Sequence, residues 1–367
     1  MSRLLLAAAL FASLLTSAAT AAAQPVEVTP LAAPDAFSTP GRETGLPADL
    51  WRGASAETLA KVLPLLATKP LSPAAARLAR RVLATGAPAP SGVGDDPGIV
   101  GARASALIAL GDPQAAGTIL ARAAGLERNA ELSQAAAESA LLAGDEQRAC
   151  AIAERLGEGR GQVYWLRLRA YCQALAGQTA EAQLTFDLAQ TQARDAVFGR
   201  LMGAKLAGTP PGAASLRNGL DLALSRSLGL DVVAAKPAPA VAAALTPEAD
   251  PFPPPPALPA DEGAASSDAA VLLLSSVGDT LVSDSPRLAA LNIPAGKMPG
   301  GRALALDRAV AAGAMGETAL LALWTASEAG PGGLTAADRA QLAYALWRVG
   351  LRDDAAYFVL EGLAGLK

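Results

Sequence analysis

The sequence predicts an all-α protein, built as a short α-solenoid of helical hairpins and completed by a proline-rich linker and a C-terminal helical segment. Three observations support this prediction. Hydrophobic residues make up 51% of the 367-residue chain, yet only 4% of residues are aromatic and about a quarter are alanine. Alanine is the strongest helix former, whereas strands favour β-branched and aromatic residues. Glycine and proline interrupt the alanine-rich stretches at helix-sized intervals, and one hairpin-sized pattern recurs.

The composition also excludes several classes of function. The chain contains no histidine, which removes Ser-His-Asp and Cys-His catalysis and histidine-ligated zinc. Its 30 basic and 34 acidic residues give a formal net charge of −4 and a sequence pI of about 5.1, so it lacks the basic footprint of a nucleic-acid-binding protein. We therefore expect a protein that is not an enzyme, uses no cofactor or metal, and binds no nucleic acid.

The first 23 residues have the pattern of a bacterial export signal. Arg3 supplies a single cation, an apolar stretch follows it, and the segment ends in three alanines up to Ala23. These are the three regions of a secretory signal peptide, with cleavage predicted after Ala23. The apolar stretch is shorter than the roughly 20 residues that span a bilayer, which disfavours the alternative of an uncleaved anchor. The mature protein is therefore expected to be periplasmic or secreted, with no membrane span.

Composition divides the mature chain into four segments. Residues 24–45 contain four prolines and no helical periodicity, so they are predicted to be a disordered lead-in. Helical patterns predict a helical-repeat domain over 46–230. Residues 231–268 are predicted to be a linker, because their nine prolines leave no room for a helix or a sheet. A C-terminal helical domain is predicted over 269–367, and its docking on the repeat domain is left open.

Local signals mark the helix boundaries. Ser72-Pro73 supplies an N-cap and a first-turn proline for a helix that ends near Gly86, and this helix forms a hairpin with the one before it. Thr335 opens a later helix, with Asp338 three residues on as a capping box. The other candidate helices cover 55–67, 213–228, 301–312, 316–327 and 352–364.

Three consecutive stretches of the predicted repeat domain align on glycines. Gly111, Gly144 and Gly177 are 33 residues apart, and each follows a helical pattern. Glycine adopts the left-handed conformation that ends a helix, and the next residue, aspartate or glutamine, stands where a new helix begins. Each copy is therefore predicted to be a helix–turn–helix.

Small residues recur at fixed distances from these glycines. Alanine stands seven residues before each glycine and five residues after it, and an alanine at these points lets the two helices of a hairpin approach closely. The same spacing returns around Gly350, with Ala343 before it and Ala355 after it. The six alanines of the three copies are Ala104, Ala137, Ala170, Ala116, Ala149 and Ala182.

On these residues the chain resembles the tetratricopeptide repeat family, over about residues 97–207 and 335–364. The match is degenerate, because the period is 33 rather than the family's roughly 34 and the helix-ending proline is missing from the three copies. The resemblance implies stacked hairpins whose concave surface binds peptides or protein segments.

Carboxylates are the remaining acid–base candidates in a chain without histidine. Asp95 and Asp96 precede one predicted helix, and Asp353 and Asp354 open the last one, where capping and the helix dipole favour acidic residues. We therefore predict structural roles for these four aspartates. Three glutamates lie scattered along the repeats: Glu127, Glu131 and Glu138.

One segment, residues 148–171, combines arginines with aromatic residues. In one hypothesis the arginines bind an anionic or glycan ligand while the rings stack on it. In the other, which we favour, the aromatic residues, including Tyr171, fill a hairpin core and the arginines are solvated. The candidate ligand surface consists of Arg155, Arg160, Tyr164, Trp165, Arg167 and Arg169.

The chain has two cysteines, Cys150 and Cys172, on consecutive predicted helices. Because those helices run antiparallel, and the midpoint of the pair falls near the turn that joins them, the two side chains stand at similar heights. Export to an oxidising compartment would allow a disulfide between them to persist. The alternative is two buried thiols, since the helical phase must also agree.

These observations predict a non-enzymatic periplasmic scaffold that binds a protein or peptide partner in the cell envelope. The alternative function is a glycan-binding module that uses the arginine and tryptophan segment 148–171. An enzyme of unfamiliar type is the third hypothesis.

Overall fold

The computed structural model describes residues 36–366 apart from 91, 94–95, 247–251, 260–266, 279–284 and 330–332. Of the described residues 62% are helical and none lies in a strand, which confirms the predicted all-α fold. The predicted signal peptide, residues 1–23, and most of the predicted lead-in lie outside the described residues. The described residues belong to one compact unit.

The helices follow one another with short connections over most of the chain. From the N-terminus they are α1 (Ala56–Thr68), α2 (Pro73–Ala84), α3 (Pro97–Ala109), α4 (Pro113–Leu120), α5 (Ala130–Leu142), α6 (Glu146–Arg155), α7 (Val163–Leu175), α8 (Thr179–Gln192), α9 (Ala196–Ala207), α10 (Gly219–Ser227), α11 (Pro239–Leu245), α12 (Asp268–Ser275), α13 (Ser285–Ala289), α14 (Gly300–Ala311), α15 (Met315–Glu328), α16 (Ala336–Arg348) and α17 (Arg352–Ala364).

Side-chain caps begin several of these helices at the predicted positions. The Ser72 hydroxyl accepts a hydrogen bond from the third residue of α2, whose first residue is Pro73. Asp96 caps α3, and Thr335 caps α16 by accepting from the Asp338 N–H. Each cap satisfies a first-turn N–H that has no partner inside its helix.

The predicted helix–turn–helix units are present. Gly111, Gly144, Gly177 and Gly350 have φ between 75° and 93°, which only glycine adopts without strain, and they join α3 to α4, α5 to α6, α7 to α8 and α16 to α17. The alanines seven residues before and five residues after these glycines are all 0% exposed: Ala104, Ala116, Ala137, Ala149, Ala170, Ala182, Ala343 and Ala355.

Consecutive helices from α3 to α9 pack on their neighbours, and α10 folds back onto α5. The apolar interior is divided at α5. Ala136 belongs to a large core that includes α1–α4 and the C-terminal helices, whereas Ala137 belongs to a second core formed by α5–α10. The assembly of these hairpins into a superhelix stays a prediction.

The C-terminal helices, within the predicted domain 269–367, extend the first core of the predicted repeat domain 46–230, a docking that the sequence left open. Helix α1 lies between α15 and α3, and α2 contacts both α15 and α17. Gly316 of α15 donates its N–H to the Leu50 carbonyl at 3.0 Å, and a Cβ at this glycine would meet that oxygen at 2.6 Å. The N-terminal hairpin therefore joins the last helices of the chain to the repeats.

Buried ion pairs hold this junction. The Asp354 carboxylate accepts from Arg77 Nη1 at 2.5 Å and from Arg81 Nη1 at 2.6 Å, and its side chain is 0% exposed. Glu361 accepts from Arg339 and from the N–H of Ala74 in the first turn of α2. Asp354 thus crosslinks α17 to α2, in addition to occupying the first turn of its helix as predicted.

The prediction of a disordered lead-in is wrong for its described part, residues 36–45. Phe37 is fully buried and packs edge-on against Trp51. The buried Arg103 guanidinium lies over the Phe37 ring and donates to the Ala36 carbonyl, while Arg42 pairs with Asp112. Local composition suggested disorder because the partners of this segment lie far along the chain.

The predicted linker, 231–268, also differs from expectation. Helix α11 begins at Pro239, where the missing N–H of proline costs no hydrogen bond, and its Val241 is fully buried in a small cluster with Leu142, Leu216 and Leu222. Residues 252–259 have no helix, but they lie against α2 and α17. In its described parts this segment therefore packs on the body of the protein.

Candidate functional site

The two cysteines are joined in the structure. Cys150 on α6 and Cys172 on α7 form a disulfide with 5.6 Å between their Cα atoms, as the sequence predicts. The turn between the two helices is closed by Arg160, whose Nη1 donates to the Glu154 and Leu156 carbonyls at the end of α6. The disulfide therefore crosslinks two consecutive hairpins rather than the two helices of one hairpin.

An open groove runs beside this disulfide. It has a volume of about 630 Å³ and lies between α6, α7 and the start of α8. We call it the disulfide groove. Its wall carries both signs of charge, because two acidic side chains of α6 face two arginines. Its charged and sulfur-bearing lining residues are Glu146, Glu154, Arg160, Arg169, Cys150 and Cys172.

A second groove lies on the other side of α6. It has a volume of about 650 Å³ and is bordered by the end of α4, the start of α5 and α6, and we call it the arginine groove. Ala151 lines both grooves, so only the width of α6 separates them. Arg148 is anchored to the Gly117 carbonyl at 3.0 Å, and Arg155 is exposed. The arginine groove also has Glu127 and Arg128 in its wall.

The structure separates the six residues of the predicted ligand surface. Trp165 is fully buried and contacts Tyr164 edge-on, with ring centroids 5.1 Å apart. Tyr171 is also buried, which confirms that the aromatic residues of this segment fill a core. Arg160 and Arg169 line the disulfide groove, whereas Arg155 lines the arginine groove. The candidate ligand surface is therefore divided between different parts of the molecule, and Trp165 offers no free face for stacking.

Arg167, the remaining member, faces a different part of the molecule. Its guanidinium lies 3.3 Å from the Asp195 carboxylate, donates to the Ala193 carbonyl, and sits over the Phe198 ring. Burial raises the pKa of Asp195, but the Phe198 N–H and the guanidiniums of Arg217 and Arg167 outweigh burial and lower it overall. Arg167 therefore fastens the start of α9 to α7.

A third cavity contains one of the three scattered glutamates, to which the sequence assigned no role. Glu138 lines a space of about 380 Å³ between α3, α5, α10 and α11, and its Oε2 accepts from the Gly219 N–H at 2.8 Å in the first turn of α10. Burial raises the pKa of Glu138, although the Gly219 N–H and the Tyr164 hydroxyl oppose that effect. Burial and the Glu138 charge together raise the pKa of Tyr164. The sequence signal that indicates a buried position for Glu138 is its neighbour Ala137, one of the recurring alanines of the hairpins.

The raised pKa of Glu138 predicts a pH-dependent stability. The contribution of Glu138 to stability is fully present below the pKa that its carboxyl group has in the unfolded chain. It is lost as the pH rises through the pKa of that carboxyl group in the folded protein. Glu138→Gln keeps an oxygen for the Gly219 N–H and carries no charge. We expect the Tm of this variant, relative to wild type, to increase between about pH 4 and about pH 7.

Thermal unfolding followed by circular dichroism across that range measures the effect. The control is Glu131→Gln, an exposed glutamate that lines the same cavity from the same helix. Because the helix dipole favours a negative charge in the first turn of α5, the Tm of this variant relative to wild type should not increase over the same range. The absence of an increase for Glu138→Gln would contradict the raised pKa.

Further findings concern metals, membranes and known proteins. Among the described residues no group of three or more cysteine, aspartate or glutamate side chains could hold a metal ion. In that same part of the chain no helix is both long and apolar enough to cross a bilayer.

The chain matches no known family model, no curated protein and no solved structure. The fold and the grooves thus define an all-α protein with two adjoining charged surface grooves.

Proposed function

We propose that this protein is a non-enzymatic periplasmic scaffold that binds a protein or peptide segment, in an assembly of the cell envelope. The observation that carries the proposal is the pair of open grooves on either side of α6, with about 630 and 650 Å³ of space. Because both grooves meet at Ala151, a bound peptide that crosses α6 would contact both. The export of the chain rests on the signal pattern of residues 1–23.

The charges of the grooves favour a polypeptide partner. Arg128, Arg148 and Arg155 give the arginine groove a net positive wall, since Glu127 is its one acidic lining residue. The lining of the disulfide groove includes Glu146 and Glu154 as well as two arginines. A peptide complements these charges when the part in the arginine groove is acidic and the part in the disulfide groove carries both signs of charge. The resemblance to tetratricopeptide repeats adds an independent argument, since that family binds peptides on stacked hairpins.

A capture experiment with charge-reversed variants tests the proposal. The mature protein is immobilised on a column and incubated with envelope extract. The proteins that it retains are compared with those retained by a double variant that carries Arg155→Glu and Arg169→Glu. We expect loss of the retained partner, because the variant places negative charge in both grooves. The control is Arg52→Glu, Arg308→Glu, which changes the charge equally at two exposed arginines outside the grooves.

Equal capture by wild type and by the groove variant would contradict the proposal, as would the absence of any retained protein. The same columns loaded with cell-wall glycan test the alternative function. That alternative has lost its stacking residue, because Trp165 is buried. Retention of glycan by wild type and its loss in the groove variant would favour the glycan-binding module over the protein scaffold.

A further inference from the structure

Proline-rich residues 252–259 lie across the junction of α2 and α17. Arg77 Nη2 of α2 donates to the Pro253 carbonyl at 3.0 Å. The Tyr357 hydroxyl of α17 lies 3.2 Å from the same carbonyl and 3.4 Å from that of Pro254. Two side chains from helices far apart in sequence thus donate to consecutive carbonyls of one extended segment.

The burial of this segment has a period of three. Phe252, Pro255 and Leu258 are half-buried, whereas the residues between them are exposed. Polyproline II has three residues per turn, so residues at this spacing lie along one edge of the helix. Leu258 packs against the main hydrophobic core. This burial pattern is the one expected of a polyproline II helix that turns its apolar edge to the protein and its other two edges to solvent.

The surface that receives this edge is organised by the buried ion pairs. The Arg77 guanidinium lies 4.3 Å from the centre of the Tyr357 ring and 6.0 Å from that of Phe252. Nη1 of the guanidinium donates to Asp354, and Nη2 donates to the segment. An aromatic ring, an arginine held by Asp354 and a hydroxyl donor thus line the surface on which the segment lies.

These groups fit the chemistry of polyproline II. The carbonyls of such a helix make no internal hydrogen bonds, and proline has no N–H to donate, so a receptor must supply the donors. Here Arg77 and Tyr357 supply them, and the Arg77 guanidinium also lies 6.0 Å from the centre of the Phe252 ring on the apolar edge. Grooves lined by aromatic residues are the usual receptors of proline-rich peptides.

We propose that the α2–α17 junction is a polyproline-binding site, that residues 252–258 are its resident ligand, and that it also binds proline-rich peptides from partner proteins. The peptides that fit carry apolar residues at every third position, in the pattern Phe-x-x-Pro-x-x-Leu. The resident segment competes with them as a tethered ligand at high effective concentration. This site is separate from the grooves beside α6, and neither proposal depends on the other.

The test uses a fluorescently labelled peptide with the sequence of residues 252–259 and the full mature chain. In the receptor variant, Phe252→Ser, Pro255→Ser and Leu258→Ser together disable the resident segment. We expect fluorescence anisotropy to show binding to this variant and about tenfold weaker binding to wild type, whose site is occupied. Adding Tyr357→Phe should weaken binding by up to about tenfold, since it removes one hydrogen-bond donor and keeps the ring.

Two controls sharpen the result. Tyr344→Phe removes the hydroxyl of an exposed tyrosine on α16 that bonds Arg348, and it should leave peptide binding unchanged. A peptide of the same composition, with its phenylalanine and leucine moved out of the three-residue spacing, should bind much more weakly. Absence of binding to a receptor variant of wild-type helicity would overturn the proposal, as would equal binding of the two peptides.

A second measurement applies if the receptor variant loses helicity. In an otherwise wild-type chain, Tyr357→Phe should hasten proteolytic cleavage within 252–259 compared with wild type and with Tyr344→Phe. Identical cleavage of the three proteins would show that the tyrosine does not hold the segment, and would overturn the proposal.

Discussion

Replacing Asp354 by alanine is expected to lower the free energy of unfolding by about 3 to 5 kcal/mol. The Asp354 side chain is 0% exposed, and the two arginines that it binds, Arg77 and Arg81, are 6% and 12% exposed. The substitution leaves two nearly buried positive charges without their carboxylate, and removing one partner of a buried ion pair costs far more than removing an exposed one. Urea unfolding followed by circular dichroism measures the loss.

The neighbouring aspartate supplies the control. Asp353 lies in the same first turn of α17 and is half-buried, so Asp353→Ala removes an acid of the same type without removing the crosslink to α2. Its expected cost is the loss of a favourable helix-dipole interaction, about 0.3 to 1 kcal/mol. If the two variants lost the same free energy, the contact between α17 and α2 would not depend on Asp354.

Removing the disulfide is expected to lower the free energy of unfolding by about 3 kcal/mol. In the chain-entropy description this loss arises because the bond between Cys150 and Cys172 closes a loop with a sequence separation of 22. The double substitution Cys150→Ser, Cys172→Ser should lower the Tm, and the wild-type Tm should fall comparably in reductant. The double variant should be insensitive to reductant, which makes it the control for effects of the reagent elsewhere.

Thiol titration of the denatured, unreduced protein tests the bond directly. We expect no reactive thiols in protein prepared from an oxidising compartment, since the pair accounts for both cysteines of the chain. Two reactive thiols per chain would refute the bridge, and would also weaken the prediction of export. Because both cysteines line the disulfide groove, the same preparations show whether the crosslink is needed for partner capture.

Local signals predicted the helices well, because the free energies that decide them act within a few residues. The pattern predicted over 352–364 matches α17, Arg352–Ala364, and the pattern over 316–327 matches α15, Met315–Glu328, within one residue. The stretch predicted over 213–228 forms a shorter helix, α10, which begins after the Asn218 cap. Residues before Asn218 are instead used in side-chain contacts, such as that of the Ser215 hydroxyl with Asp221.

The candidate sites were less predictable. The sequence favoured a core position for Tyr164 and Trp165, but it did not show that Arg155 and Arg169 would lie in different grooves. Helical phase alone places side chains around one helix. The neighbour that covers each face of a helix depends on the angle between successive hairpins. Small differences in side-chain volume at the alanine-rich contacts decide that angle.

The sequence by itself determined the all-α fold, the glycine turns at Gly111, Gly144, Gly177 and Gly350, and the pairing of the two cysteines. The fold and the turns follow from backbone conformation, and the pairing follows from the similar distances of Cys150 and Cys172 from the turn that joins α6 to α7. The tertiary structure alone decided that the C-terminal helices join the first core and that residues 252–259 lie against α2 and α17. The physical reason is that Arg77 and Asp354 are 277 residues apart, and their attraction is strong only once folding has removed both from water.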